Sequence, residues 1–396
     1  DKEFGHRVLR RAVCDVEALA VGALHGAALR GGPRVVAQVE GEHARAGHEV
    51  GILCDSITGG SFEDTLFDGI RPHLSLGLRR LAIRRSIGPS DISSFFKTYN
   101  EVKELKPDVL HGHGAKGGAF ARMVGSRLRV SGSCVARLYS PHGGSLHYDQ
   151  RSARGQLYFG IERMLERWTD SLVFVSDYER RTYAEKIGQP KTAWELIHNG
   201  LRPVEFEPVT APPGAPEFLY IGMMRDLKGP DVFIKGLRRA EQIAGRPLRA
   251  VMVGDGDDKP RYQAMIDRIG MGARISMHDA MPARQAFALA QHVVVPSRAE
   301  SMPYIVLEAI AAGKSMLATR VGGIPEILGA QSEALVEPDD VEAMSQAMAR
   351  AVTEDNWLAN AMPEGHAFRE RFSASRMAED MLALYRKLTT APHRDR

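Results

Sequence analysis

Cysteine is scarce: only Cys14, Cys54 and Cys134 occur in 396 residues. They lie far apart and in no metal-binding or redox spacing, which points to a reducing cytoplasm. No apolar run approaches the length of a membrane-spanning helix, and no charged-apolar-small leader is read at the start. A dominant charge is missing too, because 52 Lys and Arg nearly balance 49 Asp and Glu, a net of +3. The small excess lies in the first half and has no aromatic-basic motif beside it. Nucleic acid is therefore not expected as a partner, whereas an anionic acceptor or a lipid surface is. No internal repeat or low-complexity tract occurs.

At 396 residues the chain is long for a single core, so two domains are expected. The 44% hydrophobic and 26% charged residues are the mix of a soluble globular protein. Residues 208–216, PVTAPPGAP, are too stiff and too short of N–H donors to continue a helix or strand, and they mark a linker. After it, strands at 217–223, 248–253 and 292–296 alternate with helices at 230–240 and 260–269. Segments 274–277, 284–290, 335–336 and 341–351 continue the rhythm. Before the linker, strands are read at 49–54, 109–111, 134–139, 172–175 and 194–197. Helices there are read at 33–46, 94–105, 115–128, 156–168 and 177–187, and the opening strand is assigned to 19–24. The alternation predicts an α/β fold of two Rossmann-like, doubly wound parallel-sheet domains, 1–205 and 206–375. Their strand C-termini are expected to face each other across an interdomain cleft, where ligands bind in such sheets. A last amphipathic helix is read at about 376–390.

The most informative stretch is 292–328, HVVVPSRAESMPYIVLEAIAAGKSMLATRVGGIPEIL. Its opening strand suits burial on both faces. Glu300 follows in a polar turn, Pro303 takes the first helical position, and a helix at 304–312 stops at Gly313. A second strand, 315–321, ends in Gly322-Gly323, and another helix starts near Ile324-Pro325-Glu326. Two helix N-termini at one sheet edge would each offer unpaired N–H groups and a positive dipole end to an anion. Carboxylates repel phosphate, so Glu300 and Glu308 are expected to hold hydroxyls. A nucleoside-diphosphate sugar supplies both groups. Ser301, Met302, Pro303, Tyr304 and Ile305, between the two glutamates, are its expected binding turn.

This stretch resembles the signature of the family-four retaining glycosyltransferases, in which two glutamates flank seven residues as Glu300 and Glu308 do here. The resemblance runs from about 31 to 390 and is strongest over 217–328. It implies the GT-B fold, Glu308 on the ribose hydroxyls and Glu300 near the transferred sugar. It also implies that the last helix crosses back to the first domain.

Four further motifs fall at strand ends. Gly222-Met223-Met224-Arg225-Asp226-Leu227-Lys228-Gly229 carries two cations that can converge on phosphates, Arg225 as a planar fork and Lys228 as a mobile point charge. Stabilising the charge on a leaving diphosphate is the main rate contribution expected of such a site. Lys228 matches the family's lysine before glycine; the family's arginine position holds Met223, and Arg225 stands two places on. Ser140-Pro141-His142-Gly143-Gly144 resembles the family's proline-histidine-glycine turn, which implies that His142 contacts the transferred sugar. His111-Gly112-His113-Gly114-Ala115-Lys116-Gly117-Gly118 resembles a segment of members that build bacterial surface polysaccharides. It reads as an acceptor site of His113, Lys116 and a helix N-terminus; His111 and His113 are taken to point to opposite faces, against a metal pair. Gly31-Gly32-Pro33 resembles the family's first glycine loop and meets donor or acceptor, or is a tight turn only.

Asp255-Gly256-Asp257 has the look of the metal-holding pair of the other glycosyltransferase fold, but it follows a strand as a glycine turn, and no metal is expected. Gly254-Asp255-Gly256 lacks the spacing of a dinucleotide fingerprint, which argues against hydride transfer. Asn199-Gly200 reads as a structural turn. Arg79, Arg80, Arg84 and Arg85 among leucines and isoleucines form a patch that suits either an anionic membrane or a strand with a solvated edge.

The expectation is a retaining, metal-independent hexosyltransferase without a cofactor, with His142, Arg225, Lys228 and Glu300 at its reaction centre. Its donor is a nucleoside-diphosphate sugar and its acceptor a hydroxyl of a saccharide or lipid-linked saccharide. It would serve bacterial cell-surface polysaccharide synthesis as a cytoplasmic protein, peripheral at the inner face of the membrane. Two alternatives stay open: a sugar-nucleotide epimerase of the same fold, and a non-catalytic sugar-nucleotide-binding subunit, which Met223 keeps in view.

Overall fold

Short apolar runs bounded by glycine and polar turns suit strands buried on both faces, and such runs form the middle of two parallel sheets. The computed structural model describes residues 12–14, 38–39, 42–43, 45–57, 67–83 and 87–390. In the first sheet β1 (Ala12–Cys14), β2 (Val50–Asp55), β3 (Gly77–Leu81), β4 (Val109–His113), β5 (Ala136–Ser140), β6 (Ser171–Phe174) and β7 (Ala193–Leu196) lie in the order β3-β2-β1-β4-β5-β6-β7. In the second, β8 (Phe218–Ile221), β9 (Ala250–Val253), β10 (Ile275–His278), β11 (His292–Val295), β12 (Met316–Thr319) and β13 (Leu335–Val336) lie in the order β10-β9-β8-β11-β12-β13. Every pairing is parallel. Both sheets are doubly wound, and their strand order reverses between β1 and β4 and between β8 and β11. Such reversals are where ligands bind, outside the strand C-termini.

Contacts divide the chain into two units, Asp1–Gly200 with Ala374–Arg396, and Leu201–Ser373. The second unit begins before the proline-rich run rather than after it. Leu201 bridges to Ser373, its amide donates to Phe372 O at 2.8 Å, and Val209 N donates to Ala312 O at 2.9 Å. The core of this unit packs Phe218, Tyr220, Met252, Val294 and Leu317 beneath the helices Pro230–Ala244 and Val341–Thr353. Gly236 lets those two helices approach, since a Cβ there would stand 3.3 Å from Met344 Cγ.

In the first unit the last helix, Ala374–Thr390, buries Met377, Met381, Leu384 and Tyr385. His43 Nε2 lies 2.9 Å from Ala378 O, and Lys387 pairs with Glu195 at 3.0 Å. The first strand described in this sheet is Ala12–Cys14, whereas the sequence reading assigned the opening strand to 19–24. The residues 19–24 lie outside the described ones, as do Gly31, Gly32, Pro33, Arg84 and Arg85. An apolar triplet preceded by Arg10 and Arg11 is too short to stand out as a buried strand. Of the two readings of the patch around Arg79 and Arg80, the structure shows the edge strand: among the described residues β3 pairs only with β2, from Gly51↔Gly77 to Asp55↔Leu81.

Candidate functional site

The loops that leave β8 and β11 meet at the second reversal point, and two glycines make the meeting possible. Gly229 (φ +65°) and Gly322 (φ +60°) adopt left-handed backbone. A Cβ on either would stand 2.0 Å from a carbonyl oxygen, that of Pro296 or of Glu300 respectively, so no other residue fits. Arg298 locks the same junction. Its fork makes two bonds of 3.0 Å to the Asp231 carboxylate, its Nε reaches Asp339 at 2.6 Å, and its amide donates to Leu227 O at 2.9 Å.

Held this way, the Lys228 ammonium lies 2.5 Å from Glu300 Oε1, and the Ser297 hydroxyl donates to the same oxygen at 2.7 Å. The Thr319 hydroxyl in turn donates to the Ser297 carbonyl. The two charged side chains retain 16% and 8% of their exposure, so the pair is largely out of water and its charge-assisted bond correspondingly strong. Glu308 is buried in the helix Tyr304–Ala311, which Gly313 (φ +72°) ends. Lys228, Glu300 and Glu308 are thus brought to one sheet edge. Arg225 precedes the turn Asp226–Lys228 and is half-buried, as is Met223, whose carbonyl accepts from Tyr220 Oη at 2.6 Å.

Two expectations for this edge need correction. Pro303 is the extended residue before the helix, not its first, and its carbonyl accepts from Val306 and Leu307. The second helix start, Ile324–Leu328, is not open to an anion: Gly323 N donates to Ser301 O at 2.6 Å, Ile324 N to Val321 O at 3.1 Å, and residue 325 is proline. At the first helix the side chains of Met302, Pro303 and Tyr304 are buried, which leaves Ser301 and Ile305 half-exposed. Asp255 serves its own turn, with one oxygen 3.3 Å from Lys259 Nζ and the other accepting from Ala280 N at 3.0 Å.

In the first unit, three histidines stand in a row at the C-terminal end of β4 and β5. The His111 and His113 rings stack at 4.1 Å, so the two share one face. Residues two apart on a strand point the same way, and the expectation of opposite faces was an error of periodicity. Tyr385 Oη and Ser140 Oγ each lie 2.8 Å from a nitrogen of His111. His113 Nδ1 lies 3.0 Å from His142 Nε2, the rings nearly parallel at 18°. Burial, together with the neighbouring histidines, depresses the row. His111 falls to about 3 and His113 well below the usual imidazole value, while burial alone takes His142 to about 4. All three are neutral imidazoles at pH 7.

The acceptor features expected beside them have structural duties. Lys116 is 8% exposed, and its ammonium lies 2.5 Å from Asp91 Oδ2. A Cβ on Gly118 would stand 2.1 Å from the Tyr139 ring, and one on Gly112 2.5 Å from Gly117 O. These glycines let the helix Gly114–Val130 lie against the sheet. His113 is also buried, at 2% exposure. Sequence reasoning passed over Ser297, Arg298 and Asp231. The only local sign was the run Ser297-Arg298-Ala299 between a buried strand and Glu300. It also passed over Glu179, buried behind the turn of His142, whose carboxylate accepts from Gly143 N at 2.5 Å and Val175 N at 3.1 Å.

Comparison with known proteins places the chain in a family. The family described as Glycosyltransferase Family 4 matches residues 29–204, and Glycosyl transferases group 1 matches residues 215–354. The chain is 25% identical over 329 residues to the putative glycosyltransferase EpsD of Bacillus subtilis, covering 77% of this chain and 83% of that one. It is 30% identical over 176 residues to a D-inositol 3-phosphate glycosyltransferase of Segniliparus rotundus, 42% of this chain but only 39% of that protein. A glycosyltransferase structure from Rickettsia africae superposes with a TM-score of 0.74 at 18% identity, covering 98% of this chain and all of the other. Two doubly wound sheets of this order, matched along both units, show that the chain belongs to the family-four glycosyltransferases and has their GT-B fold.

Proposed function

We propose that this glycosyltransferase is a retaining, metal-independent enzyme that moves a hexosyl group from a nucleoside-diphosphate sugar to a hydroxyl of a saccharide or lipid-linked saccharide. The observation that carries the reading is the Lys228–Glu300 pair at the β8/β11 reversal, 2.5 Å apart, with buried Glu308 one helix turn and more beyond. A diphosphate entering there offers Lys228 a stronger anionic partner than one carboxylate. Lys228 then stabilises the charge of the departing diphosphate, and Glu300, released, accepts hydrogen bonds from hydroxyls of the sugar. Glu308 holds the ribose, and the helix start at Ser301–Ile305 contributes backbone amides.

In this reading the unit Leu201–Ser373 binds the donor and the unit with His142 binds the acceptor and the sugar. The acceptor hydroxyl is itself the nucleophile, attacking the anomeric carbon while the leaving phosphate takes its proton. One C–O bond forms as the other breaks, and no protein nucleophile is used. The likeness to a bacterial putative glycosyltransferase supports transfer, and a role in building a surface polysaccharide follows from the resemblance of the run 111–118. The same reading makes it a cytoplasmic protein at an anionic membrane face, where each cation near the surface adds about 1 kcal/mol.

A thermal-shift panel of UDP, GDP, ADP and their glucose or mannose sugars tests the donor assignment. A bound nucleotide stabilises by about 2.7 kcal/mol at a hundredfold excess over its dissociation constant. Glu308→Ala should abolish that shift; an unchanged shift removes Glu308 from the donor site. Product analysis with donor alone separates transfer from epimerisation.

A further inference from the structure

The turn that carries His142 is held from two sides. His142 itself has φ +49°, a left-handed conformation unusual for histidine, and Gly143 follows at φ +80°. The Gly143 amide is fixed by buried Glu179, which also binds Val175 N at the end of β6. That anchors the backbone. The ring is anchored separately, because its Nε2 lies 3.0 Å from Nδ1 of His113. His113 cannot swing away: it is buried and stacked at 4.1 Å on His111, whose two nitrogens are held by Ser140 and Tyr385. Nδ1 of half-buried His142 has no protein partner among the described residues.

A neutral imidazole carries one proton on one of two nitrogens, so whatever engages one nitrogen decides what the other can do. We propose that His113 is a positioning residue that engages Nε2 of His142 and thereby makes Nδ1 the nitrogen that meets a sugar hydroxyl. The inference rests on the reading that His142 faces the transferred sugar. When His113 Nδ1 donates, His142 Nδ1 carries the proton and donates to the hydroxyl. When His113 accepts, the proton moves to His142 Nε2, and Nδ1 accepts from the hydroxyl. Either way the pair exchanges one hydrogen bond and no net charge.

Asparagine and glutamine separate the two nitrogens, since the asparagine amide sits near the Nδ1 position and the glutamine amide near Nε2. Two measurements on the full chain test the idea. The first is long-range 1H–15N correlation of the histidine-labelled protein without ligand. His142 is expected as a neutral ring with one dominant tautomer in the wild type and in His113→Asn, and as a tautomer mixture in His113→Phe, which keeps the stack but has no nitrogen. The second is nucleoside-diphosphate release from UDP-glucose, GDP-mannose and ADP-glucose. For any sugar consumed, His113→Phe should lower kcat about ten- to a hundredfold with little change in KM and His113→Asn should recover most of that loss, while His142→Gln should lower kcat about tenfold further than His142→Asn does. His142→Gln equalling His142→Asn, or identical His142 spectra in wild type and His113→Phe, would overturn the assignment. If none of the sugars is consumed by the wild type, the glycosyl-transfer reading is what fails, and the spectra still decide the role of His113.

Discussion

Replacing Glu300 by glutamine should tighten the binding of a bare nucleoside diphosphate while slowing sugar transfer. In the free protein the Lys228 ammonium is engaged with Glu300 Oε1 at 2.5 Å, and Ser297 steadies the same oxygen at 2.7 Å. A diphosphate bound by Lys228 must first displace that carboxylate. Glutamine keeps the size and can still accept from Ser297, but it offers Lys228 only a neutral carbonyl. An exposed ion pair is worth up to about 1 kcal/mol, and this one is more protected than most, with 16% and 8% of side-chain exposure left. About 1 kcal/mol of competition is removed, equivalent to roughly a fivefold lower dissociation constant. Loss of the direct repulsion between Glu300 and phosphate adds in the same direction. Isothermal titration with UDP, GDP and ADP at low salt reads the change, which should shrink as salt screens both interactions. Unchanged or weaker binding of the preferred diphosphate would refute the competition and make Glu300 a support that holds Lys228 in place.

Gly322→Ala should destabilise the second unit by about 2 kcal/mol and weaken nucleotide binding with it, because its Cβ would stand 2.0 Å from the Glu300 carbonyl in a left-handed backbone; chemical denaturation and titration check the two effects. Arg298→Lys should cost about 1–2 kcal/mol by denaturation, since an ammonium cannot keep both 3.0 Å bonds to Asp231 and the 2.6 Å contact to Asp339; a cost no larger than that of a distant surface Arg→Lys change would remove the role of the fork. Acid should destabilise the first unit from pH 6.5 downward. His111 and His142 bind protons only near 3 and 4 when folded but near 6.5 when unfolded, so the unfolded chain holds more protons in that window and stability is lost as pH falls through it. Each contributes a slope of up to about 1.4 kcal/mol per pH unit there, and His142→Asn should flatten the denaturation profile measured between pH 4 and 7.

What was legible in the sequence was whatever depends on neighbours in the chain. Phe218–Ile221 and His292–Val295 read as strands because four branched or aromatic residues in a row, between turn residues, have only a doubly covered sheet to enter. β1 was not legible, and β3 was legible only as one of two readings of its arginines. Ala12–Cys14 is too short a run to show beside two arginines, and Gly77–Leu81 exposes its arginines because it is the edge, a fact fixed by β2. Glycines misled in the same way. Gly112 and Gly118 suggested an anion cradle, but the same missing Cβ serves close packing, and only the Tyr139 ring tells the two uses apart.

The site divides along the same line. Residue types at 228, 300 and 308 announce cations and carboxylates, but their sum at the sheet edge depends on pairs formed across the fold. Lys228 and Glu300 are 72 residues apart and cancel each other. On the proposed donor reading, the free site does not attract a diphosphate as an isolated lysine would. Its affinity is the difference between two ion pairs, one lost and one gained, and each can be strong while the difference stays small. A weakly held diphosphate is an advantage to a transferase, which must release that product every cycle, and an exchange of partners supplies it without giving up the cation that stabilises the leaving group. On that reading Glu300 controls nucleotide affinity through the partner it gives up, whether or not it touches the nucleotide.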